Sequence, residues 1–285
     1  MTNYVAITPA RDEELLLPQL IDSMTRQTRL PERWIIVNDG STDSTATIVD
    51  RATRLHPWIE AHHLARNRPR AEGGESVIKQ LLPPQLADSC GYVLRLDADL
   101  SFEANFVQLL FEEFAANPKL GIAGATLYEP DGDGWREILT PRFHTRGAAK
   151  MYSAACFKAI GGLDGGLGWD TVDEATALML GFVTRSFRSI HAYHHRPQAG
   201  AGGKWRGRLA TGRAAYRAGY SPLFMIARAA AHVGAQPCLV GSVLMLGGFF
   251  EGYLRRLPRA ASPALIKFVH REQHRRLLMR ESVWR

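Results

Sequence analysis

Residues 92–99 read Tyr-Val-Leu-Arg-Leu-Asp-Ala-Asp, an apolar run of strand length that ends in two carboxylates two positions apart. Its neighbours set the fold. Tyr4–Thr8, Trp34–Asn38, Ile59–Leu64 and Leu120–Leu127 are further apolar, β-branched runs of strand length. Between them Glu13–Gln27, Ser44–Leu55, Glu75–Ala87 and Glu103–Ala116 carry apolar residues every three to four positions, with polar or acidic starts that suit helix N-termini. Strands alternating with helices of this length predict right-handed βαβ crossovers and an α/β fold with a mostly parallel, twisted sheet flanked by helices. In such sheets ligands bind beyond the carboxyl ends of the strands, so the loops after each strand are where function is expected.

The 285 residues are 46% hydrophobic and 22% charged, which excludes a disordered or fibrous chain. The net charge of +7 conceals a division. Residues 1–184 hold 17 basic and 25 acidic side chains, whereas residues 185–285 hold 18 basic and 3 acidic ones. An acidic body with a basic tail points to a polyanionic partner surface for the tail. The three cysteines, Cys90, Cys156 and Cys238, are odd in number and widely spaced, as expected in a reducing compartment. The first ten residues lack a basic region followed by a long apolar one, so the start reads as a strand and the body is expected in the cytoplasm.

Carboxylates recur at the strand ends. Pro9-Ala-Arg-Asp-Glu-Glu14 follows the first strand and Asn38-Asp-Gly-Ser-Thr-Asp-Ser44 the second. Ordinary turn and capping chemistry accounts for Asp39 taken alone. Asp97 and Asp99 can converge on one hard divalent cation such as Mg²⁺ or Mn²⁺, which accepts phosphate oxygens as its other ligands; alternatively, Asp99 merely opens the next helix. A fourth cluster, residues 161–174, runs Gly-Gly-Leu-Asp-Gly-Gly-Leu-Gly-Trp-Asp-Thr-Val-Asp-Glu. Its glycines permit close approach of backbone to a ligand, and Asp170, Asp173 and Glu174 sit where a helix begins. Capping there is worth about 0.5–2 kcal/mol but does not require so many carboxylates beside so many glycines.

In this order and spacing the four clusters resemble the family-2 glycosyltransferases, which have the nucleotide-sugar-binding GT-A fold. The resemblance covers about residues 3–200. Ile7-Thr-Pro-Ala-Arg-Asp-Glu13 resembles the opening V-x-P-x-x-N-E, Val37-Asn-Asp-Gly-Ser-Thr-Asp43 resembles V-D-D-G-S-T-D, and Leu96-Asp-Ala-Asp99 resembles the metal motif. The resemblance implies that Pro9, Arg11, Glu13, Asp39, Arg66, Asn67 and Asp97 line the nucleotide-sugar site. It further implies that Asp99, with His194 or His195, meets the metal. The family's acceptor-side Glu-Asp pair has its Asp eleven residues before a helix-ending glycine; counting back from Gly181 gives Asp170, with Asp173 as the competing general base. This chain departs in three places: Trp169 stands where that Glu is usual, Asp12 replaces Asn, and Asn38 replaces the first Asp of the second motif. The implied reaction is metal-dependent, inverting transfer of a sugar from a nucleoside-diphosphate sugar to a hydroxyl acceptor, in synthesis of a surface polysaccharide or glycolipid.

From about residue 204 strand signals stop, and helical segments divided by Pro222, Pro237, Pro258 and Pro263 follow. The expected division is a catalytic domain at 1–203 and a basic, partly apolar helical region at 204–285. Gly200–Gly207 resembles a phosphate loop only superficially, because Lys204 is followed by Trp rather than Ser or Thr; it reads as a mobile basic segment. Residues 229–250 are apolar and contain Pro237 and four glycines, which leaves three placements open: at a membrane interface, across a membrane, or against the catalytic body. With the basic last helix opened by Ser262-Pro263, an anionic membrane surface is the expected partner, a lipid-linked glycan a fitting acceptor, and nucleic acid is not expected. The expected location is therefore the inner face of the cytoplasmic membrane, peripheral or monotopic. Two other functions fit less well: a sugar-phosphate nucleotidyltransferase, for which the first loop lacks a G-x-G-T-R-like sequence, and a catalytically silent binding module.

Overall fold

The computed structural model describes residues 3–65, 84–196, 203–231 and 239–284. Among these residues nine strands form one sheet: β1 Tyr4–Ala10, β2 Arg33–Asn38, β3 Ile59–His63, β4 Tyr92–Leu96, β5 Leu100–Ser101, β6 Leu120–Asp131, β7 Gly134–Glu137, β8 Ala149–Ser153 and β9 Val183–His194. Their order is β3-β2-β1-β4-β8-β6-β9-β5, with β7 on the side of β6. β3, β2, β1 and β4 run parallel, as expected for βαβ units, whereas β8 enters antiparallel to both β4 and β6.

Both faces of the sheet are covered, which is why the central strands are nearly continuous apolar runs. Tyr4, Ala6, Trp34, Ile36 and Leu94 face one core with α1 Leu17–Thr25, α2 Thr45–Leu55 and α3 Phe106–Ala116. Val5, Ile7, Ile35, Val37 and Val93 alternate to the other face and pack with α4 Ala154–Ala159 and α5 Trp169–Met179. Buried Trp34 keeps its one polar atom satisfied by donating Nε1–H to Thr8 Oγ1 at 3.0 Å.

Local starts differ from the sequence expectation where long-range partners intervene. The helix expected from Glu13 begins at Leu17, because the backbone N–H of Glu13 donates to Thr45 Oγ1 and that of Glu14 to Asp43 Oδ2, holding the loop to the β2–α2 turn. Asp43, rather than Ser44, caps α2 by accepting from the Thr45 N–H at 2.9 Å. Of the helix expected at Glu75–Ala87 only its end is described, as a short 3₁₀ turn, Pro84–Asp88; the remainder lies outside the described residues.

Among the described residues four helices follow the sheet: α6 Gly203–Arg217, α7 Pro222–Ala231, α8 Val240–Leu254 and α9 Pro263–Leu277, the last capped as expected by Ser262. From Gly203 onward, therefore, the segment expected to be mobile is helix. α6 and α8 cross so closely that a Cβ on Gly212 or Gly248 would strike the other helix's backbone. Glycine in the apolar run thus serves helix packing. Ala218, Leu265, Val269 and Trp284 in turn bury Val172 and Ala175 of α5, so the helical segment seats on the body. No helix among the described residues is long and apolar enough to cross a membrane.

Candidate active site

Parallel register delivers the predicted carboxylates to one edge. Ala10 pairs with Asn38, Asp39 continues β2, and β4 on the other side of β1 ends one residue before Asp97. β5 then pairs Leu100 with His194 at the end of β9, so His194 meets Asp99. Its Nε2 lies 3.1 Å from Asp99 Oδ1, and its Nδ1 lies 3.8 Å from Glu129, beyond hydrogen-bond length. Ligand atoms of Asp97, Asp99 and His194 all lie within 4.8 Å of one another. Two carboxylates and an imidazole are donors that suit Mn²⁺ or Mg²⁺, and the buried Nδ1 of His194 has no hydrogen-bond partner among the described residues.

Charge within the cluster is mutually adjusted. Burial pushes the Asp99 carboxyl up, but the hydrogen bond and charge of His194 outweigh it and hold Asp99 below its ordinary value. Burial likewise pushes His194 down, and Asp99 more than restores it. His195 behaves differently: its Nε2 meets Ser101 Oγ at 2.8 Å, and burial lowers its pKa. Of the two histidines proposed from sequence, only His194 joins the carboxylates.

The nucleotide-side residues line up on the same edge. Arg11 lies 3.5 Å from Asp39 Oδ2, while Asp39 Oδ1 is buried without a hydrogen-bond partner among the described residues. A buried acceptor oxygen in that state is suited to a ligand N–H or O–H. Glu13 is 7% exposed and accepts two bonds from Arg196, at 2.9 and 2.7 Å; burial raises its pKa despite that partner. Pro9 is the penultimate residue of β1, half-buried. Arg66 and Asn67 lie outside the described residues.

The acceptor-side carboxylates separate into two environments. Asp173 is 3% exposed and enclosed: Lys150 Nζ donates to it at 3.0 and 3.2 Å, Tyr152 Oη at 2.5 Å and the Glu174 N–H at 2.6 Å. Burial raises its pKa to about 7. Glu174 is equally enclosed by Lys150 at 3.1 Å and His144 at 2.7 Å. Asp170, one turn earlier in α5, remains half-exposed, its carbonyl oxygen accepting from Lys150 at 2.8 Å. Gly147 packs beside its Cβ, and the Gly147 carbonyl accepts from Arg95 at 2.6 Å, the guanidinium that also pairs with Asp97 at 2.6 Å. One buried arginine therefore ties the start of α5 to the metal-type cluster.

Trp169, where the resemblance leads one to expect Glu, has Arg95 and Lys150 over its ring at 5.2 and 5.3 Å. These two cations are cross-strand neighbours on β4 and β8, an arrangement that would repel without the π face and carboxylates between them. Two glycines of the 161–168 stretch pack against α6. A Cβ on Gly166 would strike the Arg217 guanidinium and one on Gly168 would lie 2.9 Å from Ala214 Cβ, so these two positions make room for α6. Arg196 and Glu129 escaped the sequence reading, since nothing local ties a residue to a partner 183 positions away.

Residues 5–163 match the family described as Glycosyl transferase family 2. A poly-beta-1,6-N-acetyl-D-glucosamine synthase of Staphylococcus epidermidis is 37% identical over 92 residues, 32% of this chain and 20% of that protein. The chain spans about a fifth of the length of the curated relatives it matches. Among solved structures, S. aureus TarS 1-349 in complex with UDP-GlcNAc has a TM-score of 0.57 at 14% identity, covering 93% of this chain and 79% of that one. Mannosyltransferase PcManGT from Pyrobaculum calidifontis, in complex with GDP-Man and Mn2+, has a TM-score of 0.56 at 15% identity, covering 94% and 78%. At these identities the structural likeness shows the GT-A fold.

Proposed function

The chain belongs to glycosyl transferase family 2, and from that premise we propose that it transfers a sugar from a nucleoside-diphosphate sugar to a hydroxyl acceptor, with inversion, in polysaccharide or glycolipid synthesis. The observation that carries this reading is the convergence of Asp97, Asp99 and His194 within 4.8 Å on the edge that also holds Glu13 and the unbonded oxygen of Asp39. UDP- and GDP-sugars, bound by the structural neighbours, are the donor classes to try first.

Asp39, Arg11 and Glu13 bind the nucleoside, and the Glu13–Arg196 pair closes the same edge. Asp97, Asp99 and His194 hold Mg²⁺ or Mn²⁺. The cation, when bound, supplies positive charge to the diphosphate. Asp170 takes the proton of the acceptor hydroxyl, whose oxygen forms the new glycosidic bond as the bond from the anomeric carbon to the diphosphate breaks. Asp170 suits this role because it is half-exposed, whereas Asp173 is enclosed by Lys150 and Tyr152 and acts as an anchor of α5. Residues 1–203 form the catalytic unit and 204–285 its helical companion.

An anionic membrane surface is the partner of the exposed apolar residues Leu223, Ile226, Val243 and Leu254 beside the basic helices. Co-sedimentation with phosphatidylglycerol vesicles supports that placement, and equal sedimentation with neutral vesicles or none contradicts it. The site itself is tested by Mn²⁺ titration followed by electron paramagnetic resonance, with UDP or GDP present. Saturable binding lost in Asp99→Ala is expected. A wild-type protein that takes up neither metal nor nucleotide overturns the reading.

A further inference from the structure

Asn38, which stands where the resemblance leads one to expect Asp, is 4% exposed, and its side-chain amide is held from both ends. The Ser41 N–H donates to its Oδ1 at 3.1 Å, and its Nδ2 lies 3.0 Å from Nδ1 of His63, the residue opposite it on β3. A backbone N–H can only donate, so Oδ1 faces Ser41 and the Nδ2–H faces His63. His63 Nδ1 is therefore the acceptor, and the ring proton sits on Nε2, which donates to Asp50 Oδ1 of α2 at 2.9 Å. A chain of hydrogen bonds thus runs from Asp50 through a neutral imidazole and an amide to the turn at residues 38–41.

That turn carries Asp39. Gly40, at φ +67°, reverses the chain with its N–H on the Asn38 carbonyl at 3.0 Å, and buried Ser41 accepts the Asp12 N–H on Oγ at 3.0 Å. Asn38 and Ser41 therefore tie the turn to β3 on one side and to the loop after β1 on the other. A proton added to His63 breaks this at one link. Nδ1–H would then face Nδ2–H, two donors with no acceptor between them, and turning the amide over would set its NH₂ against the Ser41 N–H. The charges around the ring do not prevent that proton from binding. On α2, Asp50 favours it, and Arg54 donates to the Asp50 carbonyl. On β2, Arg33 is paired with Glu60, and beyond its end Asp39 is paired with Arg11. On β3, Glu60 and His62 alternate to the side opposite His63.

We propose that His63 is a positioning residue for the nucleotide: as the neutral Nε2–H tautomer it fixes Asn38, and through it the turn that presents Asp39, so nucleotide binding weakens when His63 gains a proton. The assignment rests on the glycosyltransferase reading.

The test reads the hydrogen-bond chain and the nucleotide separately. Long-range ¹H–¹⁵N spectra of the imidazoles, with the His63 signals assigned by their loss in His63→Asn, are expected to show the Nε2–H tautomer near pH 8. Between about pH 8 and 5, where imidazoles titrate, the Ser41 amide signal is expected to move in wild type but not in His63→Asn, whose Oδ1 accepts from Asn38 without titrating. Calorimetry with UDP and with GDP, each with Mn²⁺, supplies the second readout. Relative to His63→Asn, which cancels the other titrating groups, wild-type affinity is expected to be equal near pH 8 and at least about threefold weaker near pH 5.5, the worth of one hydrogen bond. His63→Leu, which takes the acceptor from a buried amide, is expected to be weaker at both pH values. Asn38→Asp, complementary to an imidazolium, is expected to gain affinity relative to His63→Asn as pH falls. An Nδ1–H tautomer, or a Ser41 signal that moves equally in wild type and His63→Asn, overturns the proposal. Nucleotide binding with the same pH dependence in both proteins rejects the role of His63 and leaves the transferase reading standing. No binding of either nucleotide by wild type near pH 8 rejects that reading, and the positioning role with it, whatever the Ser41 signal does.

Discussion

Two clusters of ionisable groups hang from the neighbouring strands β4 and β8, and they use their charges in opposite ways. Around Asp97, Asp99 and His194 the groups are partly engaged: Asp97 pairs with Arg95, Asp99 with His194, and His194 Nδ1 has no hydrogen bond among the described residues. Around Lys150, Asp173 and Glu174 every carboxylate is enclosed by donors. Asp99 and His194 are nearly as buried as Lys150, Asp173 and Glu174, whereas Asp97 is half-buried, so burial of a carboxylate does not by itself identify a reactive site. What separates them is spare coordination: the first cluster has ligand atoms to offer, and the second has spent its own on fixing α5 against the sheet.

The largest expected effect separates two aspartates of one helix. Asp170→Asn should reduce turnover by a factor on the order of 10²–10⁴, the usual contribution of a general base, with an unchanged melting temperature. Asp173→Asn should lower the melting temperature; a stable Asp173→Asn protein that has lost all turnover would reverse the assignment. Next, Lys150→Met leaves two buried carboxylates without their cation and should cost about 3–5 kcal/mol in urea unfolding. A change within about 0.5 kcal/mol, as at an ordinary surface position, would place the enclosed cluster among the dispensable ones.

A smaller effect is expected at the open cluster. Asp99→Asn should weaken Mn²⁺ binding at least about tenfold, measured by calorimetry, without lowering the urea midpoint. Loss of stability with metal affinity retained would mean that Asp99 serves the fold.

The pH profile gives the finest comparison. Burial raises Asp173 from 3.8 to about 7, and Glu174 holds His144 above 6.5 against its own burial. Both groups bind their proton more tightly folded than unfolded. The stability they add is complete below those ordinary values and is lost as pH rises through the folded ones. Glu174, which burial would raise, is instead held below 4.5 by His144 and Lys150, and it loses its contribution only as pH falls through that lowered value. Stability should therefore decline from about pH 4 to above 7, and Asp173→Asn should flatten the part below 7. An unaltered slope in that variant would remove Asp173 as its source.

The open cluster was largely legible in the sequence because its parts are local: Asp39, Asp97 and Asp99 each follow an apolar strand, and parallel strands carry their ends to one edge. Choosing His194 over His195 needed the parity of β9, in which Ile190, Ala192 and His194 share the buried side. The enclosed cluster was not legible. Lys150 reaches Asp173 through the antiparallel entry of β8, and Arg196 reaches Glu13 from the far end of the sheet; neither contact leaves a trace in spacing. The packing role of Gly166, Gly168 and Gly248 was not legible either, since the helix each accommodates lies elsewhere in the sequence.

The most direct test is nucleoside-diphosphate release from a panel beginning with UDP-GlcNAc and GDP-mannose, with Mn²⁺ or with chelator, by wild type and Asp99→Ala. Release that requires the metal and disappears in Asp99→Ala is the expected result. Release that persists undiminished in the variant or in chelator would contradict the assignment of Asp97, Asp99 and His194 as the centre of the reaction.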